Sequence, residues 1–325
     1  MKQLSMVCYN ISYRNQNYLI TFRTIKNVKR KERYHSMNKY IITTDTTSDL
    51  PEDYMQQHNI ALLPLYYNFE GFVYGEKIFL SPKEFYDKMR KGAMPTTMAV
   101  NPAVAREVFT KLLDQGYDII HIAFSSALSG SCSVAATTAR ELMDERPEAR
   151  ITVIDSLCAS LGEGLLVHKA VGLKEAGKSY DEVIEWLEQN KLHLCHMFTV
   201  DDLHHLHRGG RVSKATAIIG TLINVKPVLH VDNEGRLIPL NNVRGRKKAL
   251  ISLVDQMEES LKGYEGTNDI VFISHGDCYE DAEFVGNLIK ERFGIKDVLI
   301  HYVSPTIGAH SGPGTVALFF MGKSR

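Results

Sequence analysis

The sequence predicts an α/β protein of two domains, the first with a mostly parallel sheet flanked by helices, the second with a mixed or antiparallel sheet. Three observations predict it. Strand and helix patterns alternate from Tyr40 to about Asn190. A hairpin turn, Asn233-Glu234-Gly235, sits between two apolar runs in the second half. A chain of 325 residues also exceeds one comfortable hydrophobic core. The expected divisions are a basic extension over 1–38, an α/β domain over 39–190 and a second over 191–325.

Taken in order, residues 40–44 read as the first strand, followed by the polar loop Thr44-Asp45-Thr46-Thr47-Ser48-Asp49. Ser81-Pro82-Lys83-Glu84 opens a helix, with Ser81 as cap, Pro82 at the first position and Glu84 closing a capping box. Asn101-Pro102 opens another, which Gly116 ends. Residues 118–124 form a short apolar run suited to a buried central strand. Helical spacing over 131–145, a strand at 150–154 and an apolar helix over 162–176 follow. Ser179 and Glu182 make a second capping box, for the helix that carries Trp186. Beyond 191 the expected strands are 194–200, 226–231, 237–243, 269–274, 298–303 and 316–321, with a helix over 281–293. There is no internal repeat.

Composition narrows the function. Hydrophobic residues make up 44% and charged residues 23%, as in an ordinary globular protein. No stretch is long and apolar enough to cross a bilayer, so stable membrane insertion is not expected. The five cysteines (Cys8, Cys132, Cys158, Cys195, Cys278) lack metal-type spacing and read as reduced thiols of a cytoplasmic protein. Residues 1–36 carry eight Lys or Arg against Glu32, a local charge of +7. The remaining body is therefore −7, with 30 basic and 37 acidic residues, and has no electrostatic reason to seek nucleic acid. The basic tail reads as solvated chain, and Met37-Asn38-Lys39 as a natural start of translation.

Three hydroxyl-rich loops follow predicted parallel strands: 44–49, Ser125-Ser126-Ala127-Leu128-Ser129-Gly130, and Asp155-Ser156-Leu157-Cys158-Ala159-Ser160. Open α/β sheets bind ligands at the carboxyl ends of their strands, so these loops should share an edge. Met94-Pro95-Thr96-Thr97, before a helix, would complete the cluster. Ser129-Gly130-Ser131 falls where a helix begins, and free backbone N–H groups there favour an anion. Each hydroxyl taken alone is an ordinary turn or cap residue. Together, Ser125, Ser126, Ser129, Gly130 and Ser131 outline an anion cradle of hydroxyls and amides without lysines.

These segments resemble the bacterial DegV family of fatty-acid-binding proteins. The resemblance rests on Thr44-Asp45-Thr46-Thr47-Ser48-Asp49-Leu50-Pro51, Pro95-Thr96-Thr97, Ser125–Ser131, and Leu206-His207-Arg208-Gly209-Gly210-Arg211-Val212-Ser213. Lys226-Pro227, Val243-Arg244-Gly245 and Gly308-Ala309-His310-Ser311-Gly312-Pro313-Gly314-Thr315 extend it over 39–322. It implies a long-chain fatty acid as ligand, with the acyl tail in a tunnel and the carboxylate held by Thr97 and Ser129. Arg211 and His310 match positions near the headgroup that would face a partner, and Arg244 matches a basic residue that would help docking. Ser125, Ser126 and Gly130 belong to the same headgroup region. The implied role is a carrier subunit without catalysis, which presents the acid to a separate fatty acid kinase catalytic subunit for phospholipid synthesis. One departure is local: Met98, Ala99 and Val100 stand where many members have Ser-Gln-Pro.

Other readings are weaker. His193, His196, His204, His205 and His207 match no standard zinc spacing and read as surface or helix residues, so neither metal nor cofactor is expected. Asp45 and Asp155, at strand ends, suggest a magnesium-dependent phosphotransferase or hydrolase, although loop capping explains them and no Gly-rich phosphate loop is present. Ser129 lacks the flanking glycines of a nucleophile elbow. A regulatory module whose basic tail reads nucleic acid is the third reading. The apolar runs 218–225 and 316–321 would serve as core or tunnel wall.

Overall fold

Alternating burial along each strand sorts the apolar residues of this chain into layers, because successive side chains point to opposite faces of a sheet. The structure, a computed structural model, describes residues 39–75, 78–213 and 224–325. The basic extension and residues 218–223 of one apolar run lie outside the described residues.

The first sheet has the order β2-β1-β6-β7, with β1 at Tyr40–Asp45, β2 at Ala61–Leu63, β6 at Asp118–Ala123 and β7 at Ile151–Asp155. Every neighbouring pair in it is parallel. A second sheet of six strands runs β10-β9-β8-β13-β11-β12. Its strands are β8 (Leu194–Thr199), β9 (Val225–Val231), β10 (Leu237–Arg244), β11 (Ile270–His275), β12 (Asp297–Tyr302) and β13 (Val316–Met321). Only the β11–β12 pairing is parallel, so this sheet is mixed.

Ile41, Ile119 and Ile151 point to one side of the first sheet and pack on α3 (Pro102–Asp114) and α4 (Ser131–Glu145) through Phe109, Ala135 and Leu142. Ile42, Ile120, Ile122 and Ile154 point the other way, onto α5 (Leu161–Glu175) and α6 (Tyr180–Asn190). The same cluster takes in Leu194, Phe198, Phe272 and Phe319 from the second sheet. The opposite face of that sheet carries Cys195, Met197, Val271, Ile273, Leu318 and Phe320, covered by α8 (Arg246–Leu261) and α9 (Tyr279–Phe293). Five layers result, alternating helices and sheets, with α5 at the centre. The described residues from Lys39 to Arg325 form one compact unit, and a single core runs through both halves.

Central placement explains the sequence of α5. A helix buried on all sides needs apolar residues all round, and Leu161, Leu165, Leu166, Val167, Ala170 and Val171 supply them. Its glycines allow close approach. A Cβ on Gly164 would lie 2.6 Å from the Ser48 carbonyl oxygen, and one on Gly162 would lie 2.8 Å from the Phe319 ring.

A small antiparallel sheet, β4-β3-β5, joins β3 (Tyr66–Phe69), β4 (Phe72–Tyr74) and β5 (Thr96–Met98). It packs through Tyr67 and Phe69 on Phe85, Tyr86 and Met89 of α2 (Pro82–Arg90) and on Ala309 of α10 (Pro305–Ser311). The Tyr86 hydroxyl donates to the Val303 carbonyl at 2.9 Å, tying α2 to the second sheet's connections.

Both expected capping boxes are present. Ser81 accepts from the Glu84 N–H while Glu84 accepts from the Ser81 N–H, and Ser179 and Glu182 do the same. Asn101 caps α3 by accepting from Ala103 N–H at 2.9 Å. Several elements were not read from the sequence, among them the helix Glu52–Gln57 and strands β2, β3 and β4. Residues 96–98, read only as preceding a helix, as they do, also form a strand, because Tyr66–Asn68 supply an antiparallel partner. Helix α8 begins directly after Gly245 (φ 95°) with no side-chain cap, so no capping residue announces it. Helix α10 is too short for an apolar period to emerge.

Candidate ligand-binding site

The ends of the first sheet's strands face α10 and the second sheet across an internal cavity. Its empty volume, counting the space at its opening, is about 970 Å³. Most of the wall is apolar: Phe124 and Leu128 follow β6, Phe198 lies on β8, Val231 and Leu237 flank the hairpin turn, and Phe319 lies on β13. Val303 and Ile307 add the entry to α10. Of the run 316–321, Ala317 and Phe319 line the cavity, while Leu318 and Phe320 face away into the second sheet's other core.

Polar groups gather on one wall. Thr97, Ser129, Gly130, Arg211 and His310, all expected from the sequence, line the cavity together. Met98 and Gly130 are the exposed members of the lining and adjoin Thr97 and Ser129 in the chain. Thr97 sits on β5, held to Tyr67 by the small sheet's register. Its hydroxyl lies 2.8 Å from His310 Nε2. The other ring nitrogen, Nδ1, is buried without a hydrogen-bond partner, close against Gly209. Burial, then the Arg211 and Arg208 charges, push the His310 pKa down to about 4, so the ring is neutral near pH 7. A bare acceptor in a tight space costs less than an unpaired N–H there, which favours the proton on Nε2, directed at Thr97.

Arg211 is fastened to the backbone. Its Nε and Nη2 donate to the Leu128 carbonyl at 3.1 and 2.8 Å, and its Nη1 donates to the Gly209 carbonyl. The guanidinium thus holds the loop before Ser129 in place. Ser129 itself lies 2.9 Å, oxygen to oxygen, from Ser131 and accepts from the Ser131 N–H at 3.2 Å.

Three further sequence candidates lie away from the lining. Ser125 is fully buried and donates to the Gly235 carbonyl at 3.0 Å, docking the hairpin turn that brings Val231 and Leu237 to the cavity. Ser126 is exposed, and its N–H donates to Asp155 at 3.1 Å. Arg244 is exposed at the end of β10. Asp155 also accepts from the Leu157 N–H at 3.1 Å, and buried Asp45 accepts from the Phe124 N–H at 2.8 Å. Both carboxylates order the loops that follow the strands. His204, His205 and His207 lie on α7 (Leu203–Arg208), and among the described residues no group of three or more His, Cys, Asp or Glu is arranged to hold a metal ion.

Sequence reasoning missed Thr306, Ile307 and Ser311 of α10 as cavity wall, although Ser304-Pro305 carries the signal of a helix start. It also missed a buried carboxyl cluster below the polar wall. Glu163, inside α5, accepts from the Thr44 and Thr47 hydroxyls at 2.7 and 3.0 Å, and burial with the neighbouring Asp45 raises its pKa well above the ordinary range. Asp49 accepts from Ser160, a cavity residue that also contacts the Ser274 hydroxyl at 2.7 Å. Burial raises the Asp49 pKa to about 7.

The sequence profile of the DegV family matches residues 39–323. The chain belongs to the DegV family. A DegV domain-containing protein of Clostridium perfringens is 42% identical over 291 residues, which is 89% of this chain and 99% of that protein. Among solved structures, DegV of Bacillus subtilis, a fatty acid binding protein, matches with a TM-score of 0.76 at 31% identity, covering 89% of this chain and 100% of the other. A DegV family protein from Thermus thermophilus, described for its fatty acid binding, matches with a TM-score of 0.78 at 29% identity, covering 87% and 99%. The DegV fold thus accounts for both the parallel sheet and the mixed sheet around the cavity. No described helix is long and apolar enough to cross a membrane.

Proposed function

We propose that this DegV protein binds one long-chain fatty acid, with the acyl chain in the cavity and the carboxylate between Thr97 and Ser129. The observation that carries the reading is a largely apolar cavity whose lining includes the uncharged hydroxyl residues Thr97 and Ser129. Fatty acid binding by the Bacillus subtilis and Thermus thermophilus relatives supports it. Each buried methylene contributes roughly 0.8 kcal/mol, so about ten of them supply most of the affinity. The headgroup then needs only to be satisfied. Hydroxyl donors pair a carboxylate without cancelling its charge, and its oxygen stays able to attack a phosphoryl group. Arg211, whose guanidinium bonds the Leu128 and Gly209 carbonyls, lines the same cavity and contributes a positive charge to it.

The finer reading rests on the family resemblance: a cytoplasmic carrier that does no chemistry itself and presents the acid to a separate fatty acid kinase, which forms an acyl phosphate for phospholipid synthesis. Arg244 and the residues around the opening would meet the kinase. The magnesium-dependent alternative is disfavoured because Asp45 and Asp155 accept backbone N–H groups and neither lines the cavity.

The test is fatty acid titration and kinase-dependent acyl phosphate formation with Thr97→Ala and Ser129→Ala. Each loses a hydrogen bond to a charged group, and binding or transfer should fall roughly tenfold. Wild-type binding and transfer in both variants would refute this headgroup site.

A further inference from the structure

Ser131 does not line the cavity and is fully buried, yet it joins the two pieces that carry the headgroup residues. Its hydroxyl oxygen lies 3.2 Å from the Val100 N–H, just past β5 and Thr97, and 2.9 Å from the Ser129 hydroxyl. A hydroxyl offers one proton and two acceptor positions. The Val100 N–H can only donate, so Ser131 accepts there. Its own proton then has one destination, the Ser129 oxygen. Reversing the Ser129–Ser131 bond would leave the Ser131 proton without an acceptor among the described residues, an arrangement that is costly to bury.

Ser129 consequently receives two hydrogen bonds, from the Ser131 hydroxyl and from the Ser131 N–H at 3.2 Å. Both of its acceptor positions are filled. The remaining group is its proton, and the cavity is where that proton can go.

We infer that Ser131 is a positioning residue: by filling the acceptor positions of Ser129, it fixes that hydroxyl as a donor and makes the site select an ionised fatty acid over a fatty alcohol. This rests on the fatty-acid reading above and deepens it. The neutral His310 ring, donating to Thr97, fills one of that hydroxyl's two acceptor positions and leaves its proton for the ligand. A carboxylate accepts from both. An alcohol of the same chain length also accepts, but brings a proton of its own that Ser129 cannot take, which leaves it only the one acceptor position that His310 does not fill on Thr97. Without the Ser131 hydroxyl, Ser129 recovers an acceptor position and becomes able to turn toward either headgroup.

The experiment compares palmitate with hexadecanol, each titrated into the lipid-stripped full chain, for the parent, Ser131→Ala and Ser131→Thr. The expected result is a roughly tenfold fall in the acid-to-alcohol affinity ratio for Ser131→Ala, set by one hydrogen bond to a charged group. Hexadecanol affinity should stay within about twofold, and Ser131→Thr should restore the ratio. A merely structural serine would weaken both ligands together and leave the ratio alone, and that outcome overturns the inference. If Ser131→Ala does not fold, Ser131→Cys replaces the strong donor by a weak one at similar volume and is read by the same ratio. A parent protein that takes up neither ligand overturns the fatty-acid reading itself. One that binds palmitate while Ser131→Ala keeps its preference overturns only the role of Ser131.

Discussion

Asp49 shows how a single residue couples this cavity to pH. It lies in the turn after β1 with a left-handed backbone (φ 53°) and accepts from Ser160, whose side chain borders the cavity. Burial outweighs its hydroxyl partners and raises the pKa to about 7. A carboxyl whose folded pKa lies above its unfolded value favours the fold while protonated. That contribution is complete below about pH 4 and fades as pH rises toward about 7. Asp49→Asn, which cannot ionise, should therefore flatten the stability profile between pH 5 and 8 and gain on the parent at the alkaline end. Thermal unfolding across that range checks it; parallel profiles for the two proteins would contradict the assignment. Nothing in the run Thr44–Asp49 distinguishes this aspartate from Asp45 or from a simple turn residue, since the difference is made by Ser160, 111 positions away. Ser125 is a parallel case: its local pattern suits an anion cradle, but its proton goes to Gly235 across 110 positions.

Helix α5 carries the most consequential element-scale feature. Gly164 meets the Ser48 backbone, whereas Gly172 on the same helix has no atom within 4 Å of the place a Cβ would occupy. Alanine is worth about 1 kcal/mol over glycine in a helix interior. Gly172→Ala should thus raise stability by up to about that amount, and Gly164→Ala should lower it by roughly 1–3 kcal/mol through overpacking against an atom that cannot rotate away. Urea unfolding of the pair separates propensity from packing; equal effects would mean that the close approach is not there. Elements defined by local chemistry were legible: the Ser81 and Ser179 capping boxes, the Asn101 cap, and the continuous apolar run of β13, buried on both faces. Those defined by partners were not. Strand β5 exists because β3 lies beside it, and α8 starts without a cap. Similarly, the motif around His310 was visible, while the helix that turns Thr306 and Ile307 toward the cavity was not.

At the scale of the whole molecule, two sheets of different construction share one core through α5, and the cavity forms where the ends of the first meet the face of the second. Alternation of strands and helices foretold the sheets, but their order and the shared core depend on contacts the local pattern does not encode. The division of labour follows from this architecture. Under the proposed function, the apolar wall would sequester a hydrocarbon tail, and the Thr97 and Ser129 hydroxyls would hold its acidic end. Native mass spectrometry of the purified, untreated chain tests that account most directly. It predicts a one-to-one adduct with the mass of a long-chain fatty acid, released on denaturation and lost selectively when Leu128 and Phe198 are both replaced by polar residues. A folded protein that carries no lipid, and takes none up from added fatty acid, would contradict it.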